Sequence, residues 1–198
     1  MIRSLILIMF FLSLGSSSNL KNENLYFDIV HNKKVIGSLK ATKIITNSKT
    51  YYQSSTTIET HIIKAIRVNY KYDVTFDDKM LETANVDITV NEIPHAKTHT
   101  QWSGKDYHVV RDEEDKEIVK DSIFYATIQL YFEEPKSVKK CFSEQDGSFN
   151  TIRALGNHSY KKVNSKGREN SYYYKMGTLT KAVIDGGLIK FKIIARKE

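Results

Sequence analysis

Alternation of side-chain character with period two, recurring in short segments between tight turns, constrains this chain more than any other feature. Val68, Tyr70, Tyr72, Val74 and Phe76 fall on one side of an extended segment, and Asn69, Lys71, Asp73 and Thr75 on the other. Successive side chains of a pleated backbone point to opposite faces, so this pattern marks a half-buried strand. After Asp77-Asp78-Lys79 it resumes, with Ala84, Val86, Ile88 and Val90 set against Asn85, Asp87, Thr89 and Asn91. The two segments read as a hairpin.

Further strands are expected near residues 25–31, 35–45, 50–63, 96–102, 107–111, 116–119, 149–155, 158–163, 170–175, 178–184 and 188–195. Polar or glycine-bearing turns separate them, among them Asn32-Lys33-Lys34, Asn47-Ser48-Lys49, Asp146-Gly147 and Met176-Gly177. Parallel crossovers would need intervening helices. The pattern offers one, expected from Ile123 to Phe132 after a cap at Asp121 or Ser122 and stopped by Pro135. The expected class is therefore all-β and mainly antiparallel, a strongly curved open half-barrel with one short helix packed on it. A closed lipocalin-like barrel or a two-sheet sandwich fits the same periodicity.

The first residues read differently. Arg3 precedes the apolar run Leu5–Leu14, and the small residues Gly15-Ser16-Ser17-Ser18 follow, which is the order of a cleavable secretory signal. Residues 1–18 are expected to be that signal, and residues 19–198 a single antiparallel β domain placed in the periplasm or outside the cell. The run is too short to cross a membrane, which takes about 20 apolar residues. No transmembrane segment is expected in the mature chain. With one cysteine, Cys141, no internal disulfide is possible, so the fold must stand on its core. The formal net charge of +7 lies mostly late in the chain, with Lys161, Lys162, Lys190 and Lys192 among its carriers. These read as a solvated face that could also favour an anionic surface. Nucleic acid is not an expected partner, since the basic residues form no compact run with interleaved aromatics.

Several short stretches carry a resemblance. They are Phe27-Asp28-Ile29-Val30 with Ile36-Gly37, Leu130-Tyr131 with Pro135, and Phe142-Ser143-Glu144 with Asp146-Gly147. Asn164, Gly167, Asn170, Tyr172, Tyr174 and Gly177 complete the set. In these the chain resembles a group of exported bacterial proteins of unknown function whose fold is similar to the half-barrel of lipoprotein carriers. The resemblance implies a curved sheet and brings no catalytic residues.

No constellation specifies a reaction, and no enzymatic activity is expected. His95 and His99 stand four apart, but on a strand that spacing covers roughly 13 Å, too far for one ion. No metal or other cofactor is expected. Cys141 lacks a neighbouring base motif and reads as structural. Tyrosine is the compositional signal, with 12 in the chain. Aromatic residues with an apolar body and polar tip suit a ligand-lined surface, and Tyr70, Tyr72, Phe76, Tyr172 and Tyr174 are the candidate ligand-binding residues. The expected role is to bind or carry a lipid or other apolar or amphipathic small molecule in the cell envelope. The alternative is a non-enzymatic module that binds an envelope protein, with the strand from Leu188 to Ala195 at a sheet edge adding to a partner's sheet.

Overall fold

The computed structural model describes residues 21–60, 66–186 and 189–196. The expected signal segment, the end of the strand expected over residues 50–63, and Leu188 lie outside them. Fourteen strands form: β1 (Lys21–His31), β2 (Lys34–Thr46), β3 (Lys49–Thr60), β4 (Ile66–Asp77), β5 (Met80–Val90), β6 (Ile93–Trp102) and β7 (Tyr107–Arg111). Then follow β8 (Asp115–Val119), β9 (Lys140–Ser143), β10 (Ser148–Gly156), β11 (Ser159–Val163), β12 (Glu169–Lys175), β13 (Thr178–Asp185) and β14 (Lys190–Ala195). All belong to one sheet, ordered from β8 down to β1 and then from β14 down to β9, with every neighbouring pair antiparallel. The fold is all-β, a single curved and unclosed sheet.

Its hairpins turn where the sequence supplies residues that tolerate positive φ. Asn32 (49°) with Lys33 (65°), Asn91 (51°) with Glu92 (68°) and Asn157 (48°) with His158 (56°) each fill a two-residue connection. Two positive-φ residues suit the right-handed twist of the flanking strands. The alternation then sets the faces: Val74 and Phe76 are buried on β4, and Ala84, Val86 and Ile88 on β5.

Two readings are corrected. The strand near the C-terminus does not lie at an edge, because β14 sits mid-sheet between β1 and β13, with Phe27 opposite Ala195 and Ile29 opposite Ile193. Its inward Phe191 and Ile193 join the core, and the sheet ends at β8 and β9 instead. The helix expected over residues 123–132 is a five-residue 3₁₀ helix, Thr127–Tyr131. The residues before it are not helical, because their carbonyls serve the sheet. Ile123 accepts from the Leu81 N–H at 2.9 Å, and Tyr125 from the Phe142 N–H at 2.8 Å. Asp121 and Ser122 do not cap it; the Gln129 side chain accepts from the Ala126 N–H at 2.7 Å.

This segment is a wedge inside the curl. Leu130 packs into one core cluster with Phe27, Leu39, Ile193 and Tyr174, while Ile123 and Ile128 pack into a second with Val74, Leu81 and Val109. Tyr131 and Phe132 touch both clusters. The curl brings the β9–β10 turn against β6 and β7. Thr98 donates to the Gln145 carbonyl at 2.8 Å, and Arg111 to the Asp146 carbonyl at 3.0 Å.

Gly147 closes that turn at φ 62°, and a methyl group there would collide with Val109 and Arg111. Gly147→Ala should destabilise the fold by about 2–4 kcal/mol, combining left-handed backbone strain with overpacking. Chemical denaturation of the two proteins measures this. A change near zero would mean that the two arms of the sheet do not meet at this turn.

Candidate functional site

Between the wedge and the concave face lies a cleft of about 160 Å³. Its mouth is at the end of the sheet that carries the β9–β10, β11–β12 and β13–β14 turns, where Gln145, Asp146, Asn164, Arg168, Asp185 and Gly186 line it. Ile29, Leu39, Phe191 and Ile193 supply apolar wall, and Tyr70, Tyr72, Tyr131 and Tyr172 supply rings.

The strands deliver polar groups to its inner end by their alternation. Lys162 on β11 stands two residues from the buried Tyr160 and pairs with Ile152 on β10, so it points inward. Asn150, two residues before Ile152, shares that face and pairs with Cys141 on β9. Lys162, read in the sequence as part of a solvated basic face, is 8% exposed, and its Nζ donates to Thr127 Oγ1 at 3.1 Å. Thr127 Oγ1 in turn donates to the Phe142 carbonyl at 3.1 Å.

Glu144 lines the cleft with them, 1% exposed. Its carboxylate accepts from the Thr127 N–H at 3.1 Å and the Ile128 N–H at 2.8 Å, capping the 3₁₀ helix. Burial raises the carboxyl above its ordinary range, against those bonds and the Lys162 charge. Burial also pushes the Cys141 thiol up to about 12, more strongly than Lys162 draws it down. A thiol this buried is no nucleophile at neutral pH.

Asn150 is 2% exposed, and neither polar atom of its side chain finds a hydrogen-bond partner. Tyr70, Tyr131 and Tyr172 also line the cleft, and burial raises the pKa of each. The Tyr72 hydroxyl donates to Gln145 Oε1 at 3.2 Å.

Of the five residues singled out from the sequence, Tyr70, Tyr72 and Tyr172 therefore meet at this cleft. The other two are core. Phe76 packs edge-on against Tyr52 with ring centres 5.9 Å apart, and the Tyr174 hydroxyl donates to the Leu130 carbonyl at 2.8 Å. Asn150, Lys162, Glu144 and Tyr131 were not singled out. Lys162 and Asn150 could have been found by carrying the period-two count inward from Tyr160 and Ile152. Elsewhere His99 is held by Asn85, Nδ1 to Oδ1 at 2.7 Å, and no three metal-ligating side chains converge among the described residues.

Comparison with known proteins adds the family. Residues 27–196 match the family described as a domain of unknown function, DUF6134. The chain belongs to that family. Among solved structures, the DUF6134 domain is similar to a β-barrel-like protein of domain of unknown function DUF1849 from Brucella abortus. The TM-score is 0.50 at 9% identity, over 91% of this chain and 98% of that one. At that identity the likeness concerns the fold. The comparison with curated proteins found no match.

Two outcomes test this geometry. Asn150→Leu should stabilise the ligand-free protein by about 1–3 kcal/mol, since it removes a buried amide that no protein group satisfies. A loss of stability in thermal or urea unfolding would mean that the amide is held by protein groups after all. Glu144 is protonated more readily when folded than unfolded. Its contribution to stability should fall as pH rises from the unfolded carboxyl value of about 4.3. Glu144→Gln should flatten that part of the profile, so stability relative to wild type should shift toward the variant with rising pH; an unchanged difference from pH 4 to 8 would contradict it.

Proposed function

We propose that this DUF6134 protein binds a small amphipathic molecule in the cleft between the wedge and the concave sheet, without turnover. The observation that carries the reading is the Asn150 side chain, buried, unpartnered among the described residues and set in a cavity wall with Lys162 and the rings of Tyr70, Tyr131 and Tyr172. A buried polar group left unmatched costs about 1–3 kcal/mol. Such groups gathered at the inner end of a cavity, with apolar wall toward Ile29 and Leu39, fit a ligand with one polar end and an apolar body.

Size narrows the ligand further. A cavity of about 150 Å³ admits a molecule such as benzene, whereas drug-sized ligands occupy roughly 300–1,000 Å³. At about 160 Å³ the cleft suits a ring-sized body. Beside this cleft the wedge and its two core clusters pack the interior, which argues against a long acyl chain sheltered there; a separate opening of about 370 Å³ lies at Tyr52, Phe76, Gln129 and Glu133. The leader pattern of residues 1–18 supports an exported binder, acting in the periplasm or outside the cell.

Native mass spectrometry of the protein from its own host, followed by denaturing extraction, tests both parts. The expected result is an N-terminus near Asn19 and a retained small molecule that is lost when Tyr172 is replaced by tryptophan to fill the cleft. A protein that carries nothing, and gains no thermal stability from any of a panel of small amphipathic compounds, would overturn the binding role. Recovery of long-chain lipid would overturn the size argument.

A further inference from the structure

The polar end of the ligand can be read from which protein groups are already engaged at the inner end of the cleft. Both Glu144 carboxylate oxygens accept backbone N–H groups, from Thr127 and Ile128. Thr127 Oγ1 is occupied on both sides, by Lys162 and by the Phe142 carbonyl. What remains is rich in donors. Lys162 Nζ has three N–H groups and spends one on Thr127, the Asn150 amide has no partner among the described residues, and the rings of Tyr70, Tyr131 and Tyr172 line the cleft with hydroxyls that can donate. Such a lining calls for a ligand group made of acceptors, and Lys162 gives it a sign.

The charge that fits is a single negative one. Lys162 is the buried cation of the lining, while Arg168 at the mouth is exposed. Asp146 and Asp185 also stand at the mouth, and Glu144 lines the cleft as Lys162 does. A dianion such as phosphate would meet these acidic groups, whereas a carboxylate places two acceptor oxygens on one charge. An ammonium ligand could use the ring faces, but it would have to sit beside Lys162.

We propose, resting on the binding role above, that the cleft takes a small monocarboxylate. Its carboxylate is received by Lys162 and the Asn150 amide, and its apolar body lies against Tyr172, Ile29 and Leu39. Burial holds the Glu144 carboxyl above its ordinary range, which weakens the repulsion that an incoming anion meets.

Isothermal titration of the mature chain with benzoate, phenylacetate and hexanoate, each beside its neutral amide, tests the proposal. Benzylammonium provides the cationic comparison. At least one carboxylate should bind about ten-fold or more tightly than its amide, the usual margin of a charge-assisted hydrogen bond. Lys162→Met should abolish that preference, with its unfolding midpoint measured alongside. Should that variant fail to fold, Asn150→Leu, expected to be the more stable protein, should weaken the carboxylate by a similar factor. Equal affinity for acid and amide would overturn the carboxylate assignment and leave the binding role standing. Tightest binding of benzylammonium would do the same in favour of a cation. If no probe binds while the native protein retains a neutral molecule, the carboxylate is wrong and the cleft is right; if the native protein also carries nothing, both fail.

Discussion

A fourteen-stranded sheet that curls without pairing its own edges needs something to bridge the gap, and the buried carboxylate of Glu144 is where that bridge is fastened. It takes the N–H groups of Thr127 and Ile128, which open the 3₁₀ helix and have no intrahelical acceptor. The same residue begins the β9–β10 turn, whose carbonyls at Gln145 and Asp146 receive Thr98 and Arg111 from the far arm. One short stretch, residues 144–147, thus holds the wedge and joins the two arms. Without it the interior would expose β9 and the start of β5, whose backbone groups are met by Tyr125 and Ile123.

The wedge explains why the concave face is mostly full. Leu130 and Ile128 point into different core clusters, so a segment of ten residues supplies interior to both halves of the sheet. Small barrels are commonly filled by their own side chains. Here the filling stops at the row of Asn150, Lys162 and Asn170, where β10, β11 and β12 turn polar side chains inward. Apolar residues at those positions would have closed the core and spared the desolvation of an amide and an ammonium. That cost falls where the cavity begins, which is the ground for the binding role proposed above.

How much of this the sequence disclosed follows from the range over which each signal acts. Alternation is local, so the β4–β5 hairpin and the turn at Asn32 were legible, as was the all-β class, whereas Asn91, read as a strand residue, begins the β5–β6 turn. The place of β14 was not, because pairing Ile29 with Ile193 is a contact between the two ends of the chain. The wedge misled because Ile123, Phe124, Ile128, Tyr131 and Phe132 carry helical spacing, while the long-range bonds from Leu81 and Phe142 claim the carbonyls that a helix would need. Strand β9, Lys140–Ser143, is only four residues long and was not expected. Tyr70, Tyr72 and Tyr172 were found through residue type. Lys162 and Asn150 were passed over because their type suggests solvent, although their positions beside Tyr160 and Ile152 put them on the buried face.

The cleft and the wedge share groups, so occupancy of the proposed site would be tied to the stability of the wedge. Lys162 reaches Thr127 Oγ1, Thr127 reaches the Phe142 carbonyl, and the Thr127 N–H is held by Glu144. A negative group on Lys162 would compete with Thr127 for the ammonium and bring a second charge toward Glu144, so the two carboxyl groups would share one cation. In a low-dielectric interior such a pair favours keeping one member protonated. Glu144 is the member already displaced in that direction by burial. In a protonated Glu144 the carbonyl oxygen would keep one of the two backbone bonds and the hydroxyl oxygen would accept the other more weakly, so the wedge would stay fastened at reduced strength.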